Sequence, residues 1–364
     1  MLFAGGGTGG HLMPALAIAD AMVALDPSVR PFFAGSRRGV ESGVLPSRPW
    51  HYELLPLHPI YRGAWWRNVA LPVHLGRTLL GANRIITRER PALVVGTGGY
   101  VAGPVVWAAA RRGVPVVLQE QNALPGIATR RLARRARQIH LGFAEARRHL
   151  SLGPQTEVFD SGNPIVPPPD PLPDREAAKR ALGFESGRPL VLAMGGSQGA
   201  LAINRALAEA LGAELWPAGC QLLWQTGPSS HEKYRHWFQP GQIRVEAFLD
   251  PIAKAYAAAD LVIARSGAMS LAELAAWGLP AVLIPLPTAA ANHQLHNARA
   301  LADAGAALLI EQALVSGAAV ANEVGALLGN PARLAGLSER MRARARPNAA
   351  REIAGRALAL LASS

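Results

Sequence analysis

Short apolar runs recur along the chain, each separated from the next by a stretch long enough for one helix. In the first half they are Leu2–Ala4, Pro31–Ala34, Tyr52–Leu55, Leu93–Gly96, Val114–Leu118, Gln138–Leu141 and Glu157–Phe159. Alanine- and leucine-rich stretches between them predict helices, notably Pro14–Leu25, Pro72–Arg88 and Gly126–Arg135. Strands alternating with helices imply a parallel sheet covered on both faces. The alternation stops at Asn163–Pro173, where so many prolines exclude both a helix and a central strand and favour a stiff, extended linker. It resumes with Leu190–Met194, Gln221–Gln225, Ile243–Ala247, Leu261–Ala264, Ala281–Pro285 and Ala307–Ile310. Beyond Pro331 the pattern is helical, broken near Pro347. The reading is α/β: two doubly wound, Rossmann-like domains facing a central cleft, where ligands bind at the carboxyl ends of the strands. The boundaries expected are 1–164, 165–345 and a terminal helix, 346–364, that can return to the first domain.

Composition agrees with this and adds one feature. The chain has 364 residues, 50% of them hydrophobic and 17% charged, which suits two well-buried cores. A single cysteine, Cys220, excludes an internal disulfide framework and fits a reducing compartment. The chain enters its first strand almost at once and has no apolar run of spanning length, so neither a secretory leader nor a membrane-crossing helix is expected. The net charge of +12 comes from 37 basic residues, nearly all arginine. High arginine is compatible with composition bias, heat adaptation or an anionic partner. Nucleic-acid binding has no motif behind it.

Two glycine turns stand at corresponding places in the halves: Gly5-Gly6-Gly7-Thr8-Gly9-Gly10-His11 and Gly195-Gly196-Ser197-Gln198-Gly199-Ala200. A strand, a glycine turn and a helix start present bare N–H groups and a positive dipole end to an anion. The first turn matches the dinucleotide fingerprint, but Gly35-Ser36-Arg37-Arg38 offers no acidic residue for a ribose. Its arginines would suit a 2′-phosphate, which keeps an NADP reductase as an alternative. The second turn matches the nucleophile elbow of a serine hydrolase, with Asp250 or Asp260 and His293 following in order. Ser197 is equally explained as a phosphate-binding hydroxyl. His11 at the mouth of its turn can donate to a phosphate or accept a proton, or simply cap a helix start.

The third constellation, Arg265-Ser266-Gly267-Ala268-Met269-Ser270-Leu271-Ala272-Glu273, follows an apolar strand and opens a helix. Its small residues expose the helix start, Arg265 can face a diphosphate, and Glu273 can take both hydroxyls of a ribose. With Asn292, His293, Gln294 and Asn297 the pattern describes a sugar-nucleotide site. The chain resembles the MurG family, the bacterial cell-wall transferases that move GlcNAc from UDP-GlcNAc to undecaprenyl-diphospho-MurNAc-pentapeptide (lipid I), giving lipid II. The resemblance rests on Gly-Gly-Thr-Gly-Gly-His at 6–11, Gly-Thr-Gly-Gly-Tyr-Val-Ala-Gly-Pro at 96–104 and Glu-Gln-Asn at 120–122. It continues with Gly-Asn-Pro at 162–164, Gly-Gly-Ser-Gln-Gly-Ala at 195–200, Arg-Ser-Gly-Ala at 265–268 and His-Gln at 293–294.

The resemblance implies the GT-B fold, with the donor bound mainly by the second domain. Ser197 would contact the diphosphate, Leu249 after Phe248 would line the uracil pocket, and Ala268, Met269, Ser270, Leu271, Ala272 and Glu273 would hold phosphates and ribose. Arg265 belongs to the same donor set. Gln294, with His293, would read the GlcNAc hydroxyls, and Asn122 would approach the donor from the first domain. Thr8, Gly9, Gly10 and His11, with Gly98, Gly99, Tyr100 and Glu120, would receive the acceptor's diphosphate and sugar, Thr8 to Gly10 also meeting the donor. The family's Gly-Asn-Pro-x-Arg is broken here by Val166, which corresponds to the arginine only as a backbone position.

The reaction implied is an inverting displacement by the acceptor's C4 hydroxyl, with His11 and Glu120 as candidate bases. No Asp-x-Asp pair occurs, so no metal is expected, and no cofactor. Other GT-B transferases with lipid acceptors and a non-catalytic nucleotide binder are the remaining alternatives. The acceptor implies action at the cytoplasmic face of the bacterial inner membrane, as a peripheral protein. Leu57–Arg67, with Trp65, Trp66, Arg62 and Arg67, and the following helix with Arg77, Arg84 and Arg88 on one face, would suit an anionic membrane surface. Leu75, Leu79 and Ile86, on the opposite face of that helix, would pack into the core.

Overall fold

The computed structural model describes residues 1–57, 69, 71–196 and 199–362. The chain divides into two compact units, Met1–Val166 with Asn348–Ser364, and Pro167–Pro347. The break after Val166 falls within the proline-rich run, where fixed φ angles and missing N–H donors leave no ladder or helix to carry contacts across.

The first unit holds β1 (Leu2–Gly5), α1 (Gly9–Leu25), β2 (Phe32–Ser36), α2 (Glu41–Val44), β3 (His51–Leu55), α3 (Leu71–Glu89), β4 (Val94–Gly98), α4 (Ala102–Arg111), β5 (Val116–Glu120), α5 (Ile127–Leu132), β6 (Gln138–Leu141) and β7 (Glu157–Phe159). The second holds α6 (Arg175–Ala181), β8 (Leu190–Met194), α7 (Leu201–Gly212), β9 (Gln221–Gln225), α8 (His231–Tyr234), β10 (Ile243–Glu246), α9 (Ala253–Ala258), β11 (Leu261–Ala264), α10 (Ala268–Trp277), β12 (Ala281–Leu283), α11 (His293–Asp303), β13 (Leu308–Leu309), α12 (Gly317–Leu328) and α13 (Pro331–Ala343). A last helix, α14 (Ala349–Ala362), belongs to the first unit.

Both sheets are parallel throughout, ordered β3-β2-β1-β4-β5-β6-β7 and β10-β9-β8-β11-β12-β13. Strand periodicity explains the two-faced burial. Leu2, Ala4, Val94, Val116 and Leu118 pack on one face of the first sheet with Ala82, Ile85 and Ile86 of α3 and Val105 and Ala109 of α4. Phe3, Phe33, Val95 and Val117 pack on the other with α1 and with Ile353, Ala354 and Ala357 of α14. In the second unit Val191, Ala193, Leu222 and Trp224 pack against Ile203 and Leu207 of α7 and Val320 and Val324 of α12.

Two local expectations change. Helix α1 begins at Gly9, not Pro14. A proline near a helix start removes only the bond its own N–H would have made, here to the Gly10 carbonyl, so the helix can continue upstream of it. His11 therefore sits on the first turn of a helix instead of in a loop. In α3 the buried residues are Thr78, Ala82, Ile85 and Ile86, while Leu75 is 40% exposed. Val73 and Leu80 are exposed as well, on the same stretch as Arg77 and Arg84. The Trp65 and Trp66 loop lies outside the described residues. Among the described residues no helix is long and apolar enough to cross a membrane.

Candidate active site

A doubly wound sheet opens a crevice where its strand order reverses. That reversal falls between β1 and β4 in the first unit and between β8 and β11 in the second. The glycine turn after β1 and Gly98–Tyr100 after β4 flank the first point. Gly195–Gly199 after β8 and Arg265–Ala268 after β11 flank the second.

In the first unit, Gly99 has φ +84°, and a Cβ there would overlap the Gly6 carbonyl, so the two turns touch backbone to backbone. Thr8 is the N-cap of α1 without a side-chain cap bond, and Thr8, Gly9 and Gly10 are exposed. The turn is not wholly bare, as the sequence suggested. The Gly7 N–H donates to Glu41 Oε2 at 2.8 Å, while Ser36 N–H donates to Glu41 Oε1 at 2.6 Å. Glu41 is fully buried, so a carboxylate from the next βα unit already occupies part of the anion-binding turn. Tyr100 bonds through its hydroxyl to Ser36 Oγ at 2.8 Å, and its ring covers Gly7.

His11 lies against Gly98, where a side chain would crowd the imidazole. Its Nδ1 is 3.1 Å from the Thr97 carbonyl and 3.0 Å from Gln121 Oε1. Gln121 Nε2 donates to the Thr97 carbonyl at 2.7 Å and to the side-chain oxygen of Gln119. That orients the amide so its oxygen faces His11. Both neighbours of Nδ1 are then acceptors, so Nδ1 carries a proton, and in the neutral imidazole the lone pair is on Nε2. Nε2 makes no hydrogen bond to any described residue. The Thr97 hydroxyl donates to the His11 carbonyl at 2.7 Å and fixes the helix start. Glu120 is differently used. Its Oε1 accepts from Asn122 N–H at 3.1 Å and its Oε2 from Gly126 N–H at 3.0 Å, which folds the 120–126 turn. The Asn122 amide lies 3.4 Å from the same Oε1.

In the second unit, Gly199 has φ +76° and a Cβ there would strike the Thr226 carbonyl, while Gly195 packs on Ala200. Ser197 lies outside the described residues. Gln225, buried at the end of β9, donates to the Gly196 carbonyl at 3.0 Å and accepts from Leu249 N–H at 3.1 Å, tying the turn to Leu249. Helix α10 starts at Ala268 with Gly267 as N-cap and no side-chain cap, so the N–H groups of Met269 and Ser270 have no partner within the helix. Leu271 is buried and Ala272 half-buried. Glu273, also half-buried, accepts from the Tyr256 hydroxyl at 2.8 Å. Burial pushes the Glu273 carboxyl above its usual range, opposed by the bond from Tyr256. Burial, with the nearby Glu273 charge, drives the Tyr256 phenol well above its own range.

Arg265 is bonded within its own unit. Its guanidinium donates to the carbonyls of Ile284 at 2.9 Å and Pro285 at 3.1 Å, and to Gln312 Oε1 at 2.7 Å. Those carbonyls, left at the end of a short β12, are satisfied by the arginine fork, which clamps the strand end. Gln294 Oε1 accepts from Leu286 N–H at 3.0 Å, and His293 Nδ1 lies 2.8 Å from the Ala290 carbonyl. Val166 is 87% exposed. Sequence reading missed Glu41, Thr97, Gln119, Gln121, Gln225 and Tyr256. Thr97 and Gln121 sit inside recognisable segments as polar residues at strand ends; nothing local marks the others.

The residues 1–141 match the glycosyltransferase family 28 N-terminal domain, and 190–354 match the glycosyltransferase family 28 C-terminal domain. A protein of Chlorobaculum parvum named UDP-N-acetylglucosamine–N-acetylmuramyl-(pentapeptide) pyrophosphoryl-undecaprenol N-acetylglucosamine transferase is 42% identical over 99% of both chains. A protein of the same name from Desulforudis audaxviator is 38% identical, over 96% of this chain and 95% of that one. The crystal structure of Acinetobacter baumannii MurG superposes with a TM-score of 0.79 at 28% identity, covering 100% of this chain and 99% of that one. The two parallel-sheet units are those of the GT-B fold. These likenesses set aside the reductase and hydrolase readings that the glycine turns alone left open, and the chain belongs to glycosyltransferase family 28, in its MurG family.

Proposed function

We propose that this chain transfers GlcNAc from UDP-GlcNAc to the C4 hydroxyl of MurNAc in lipid I, forming lipid II and UDP. The observation that carries this reading is the full-length likeness to relatives named for that transfer. The first unit takes the acceptor. Thr8, Gly9 and Gly10 offer the start of α1 to its diphosphate, with Gly98, Gly99 and Tyr100 beside them. His11 Nε2 accepts the C4 proton as oxygen attacks the anomeric carbon, with inversion from α to β. Glu120, whose two oxygens hold backbone N–H groups, shapes the turn that carries Asn122. The second unit takes the donor. Glu273 accepts from the ribose hydroxyls, Leu249 lines the base pocket, and Gln294 with His293 reads the sugar. The uncapped start of α10 and the turn bearing Ser197 stabilise the departing diphosphate. Val166 enters only through its backbone.

A lipid-linked acceptor places the work at a membrane. Val73 and Leu80, 58% and 62% exposed, stand beside Arg77 and Arg84 on α3 and would rest on an anionic cytoplasmic leaflet. No nucleic-acid partner and no cofactor are part of this reading. The test is UDP release from UDP-GlcNAc by the purified chain. Release that requires a lipid I analogue supports the transfer. Binding of UDP-GlcNAc without acceptor-dependent release would make the protein a nucleotide binder and overturn it. For the surface, Leu80→Glu with Arg84→Glu should abolish co-sedimentation with anionic vesicles.

A further inference from the structure

The side chain facing His11 from the end of β5 is an amide where a carboxylate would be the obvious partner for an imidazole base. Gln121 is 2% exposed, and its hydrogen-bond partners select one orientation. Its Nε2 is surrounded by acceptors: the Thr97 carbonyl at 2.7 Å, the Gln119 carbonyl at 3.3 Å and the Gln119 side-chain oxygen. Gln119 is held in turn, its Nε2 donating to Asn163 Oδ1 at 3.0 Å, while Asn163 Nδ2 donates to the Gln121 carbonyl at 3.0 Å. A flip of any one amide would set donor against donor or acceptor against acceptor in a buried space, which costs about 1–3 kcal/mol per unsatisfied group. The orientation therefore passes from Asn163 through Gln119 to Gln121, and ends at His11.

We propose that Gln121 is a positioning residue that locks His11 in the Nδ1–H form, keeping Nε2 unprotonated for the acceptor hydroxyl. This rests on the reading of His11 as the base. A neutral amide fixes the tautomer without adding a charge that would hold the imidazole protonated. No ionisable side chain among the described residues is hydrogen-bonded to the ring. Of the titratable groups on the elements around it, Glu120 and Glu41 are occupied by backbone N–H groups and Tyr100 by Ser36. Asp20 lies farther along α1 on its exposed side, and His140 is buried within β6.

The full chain carrying Gln121→Met, which keeps the volume and removes the acceptor, should lose at least about tenfold in kcat. KM for both substrates should stay within about twofold, since the interaction acts on proton transfer alone. In Gln121→Glu the added negative charge stabilises the imidazolium, so the acid limb of the kcat–pH profile should move upward by about a unit. Nitrogen-15 NMR of histidine-labelled protein should show Nδ1–H at His11 in the parent and a measurable Nε2–H fraction in Gln121→Met, where the Thr97 carbonyl at 3.1 Å still accepts from Nδ1 but the amide oxygen is gone. An unmoved acid limb, or a pure Nδ1–H tautomer in Gln121→Met, would overturn the proposal. A fall in kcat accompanied by rising KM values and a lower Tm would also overturn it, in favour of a packing role. If His11→Ala keeps full turnover, the base reading fails, while the NMR comparison still decides whether Gln121 sets the tautomer.

Discussion

At the scale of single residues, the site is built by pairing each functional group with a partner that fixes its state. Glu273 is the clearest case. On the proposed reading, ribose hydroxyls donate to this carboxylate, so donor binding favours its ionised form and weakens as pH falls through its raised pKa. Tyr256 opposes that rise by donating to the charged form. Tyr256→Phe should therefore raise the donor KM several-fold, leave the acceptor KM unchanged, and move the loss of donor affinity to higher pH. Donor titrations across the acid range measure all three. Glu273→Gln should raise donor KM by about tenfold or more, in line with loss of a charged hydrogen bond of roughly 1.5–3 kcal/mol. Glu273 is singled out in sequence because it follows a strand and a small-residue helix start. Tyr256 was not, because it reaches Glu273 from α9, across the turn and strand that separate the two helices.

At the scale of elements, the junction of α14 with the first sheet contains a titratable lock. His140 on β6 is fully buried, 2.9 Å from Ser161 Oγ, and Ser161 donates to Glu352 Oε1 at 3.0 Å. Burial lowers the His140 pKa to about 4, with the attraction of Glu352 opposing and Arg356 reinforcing the drop. The folded state thus binds His140's proton less readily than the unfolded state, whose value is near 6.5. The stabilisation is complete above pH 6.5 and is lost as pH falls towards 4, on the order of 3 kcal/mol in all. His140→Gln should flatten the dependence of Tm on pH across that window; an unchanged slope would assign it to other groups. The glycine turns make a second element-scale prediction. Gly99→Ala forces a Cβ against the Gly6 carbonyl at a positive φ, and should cost about 1–3 kcal/mol in denaturant unfolding and reduce turnover.

At the scale of the molecule, the chain holds two units of one architecture. Each unit has its own sheet and core, and α14 completes the first by covering Leu12, Leu16 and Met22 of α1. Each fully buried aliphatic side chain contributes roughly 1.5–3 kcal/mol, so removal of residues 348–364 should unfold the first unit selectively. Hydrogen exchange should then show protection lost across β1–β7 and retained across β8–β13, with UDP binding preserved.

The alternation of apolar runs and helices was plain in the sequence because strand and helix periods are local properties. Most strands lie within two residues of where the pattern puts them, while α1 extends upstream of Pro14 because a proline is tolerated near a helix start. The glycine turns were equally visible, since a positive φ or a backbone contact selects glycine directly. What fills those turns was not visible. Glu41 reaches Gly7 across 34 positions, and Thr97 and Gln121 reach His11 across 86 and 110. Arg265 donates to carbonyls 19 and 20 residues away, partners that its local context does not mark. Periodicity and dihedral preference are written residue by residue along the chain. Hydrogen-bond partners and protonation states depend on which strand ends the sheet order brings together, and only the tertiary structure sets that order.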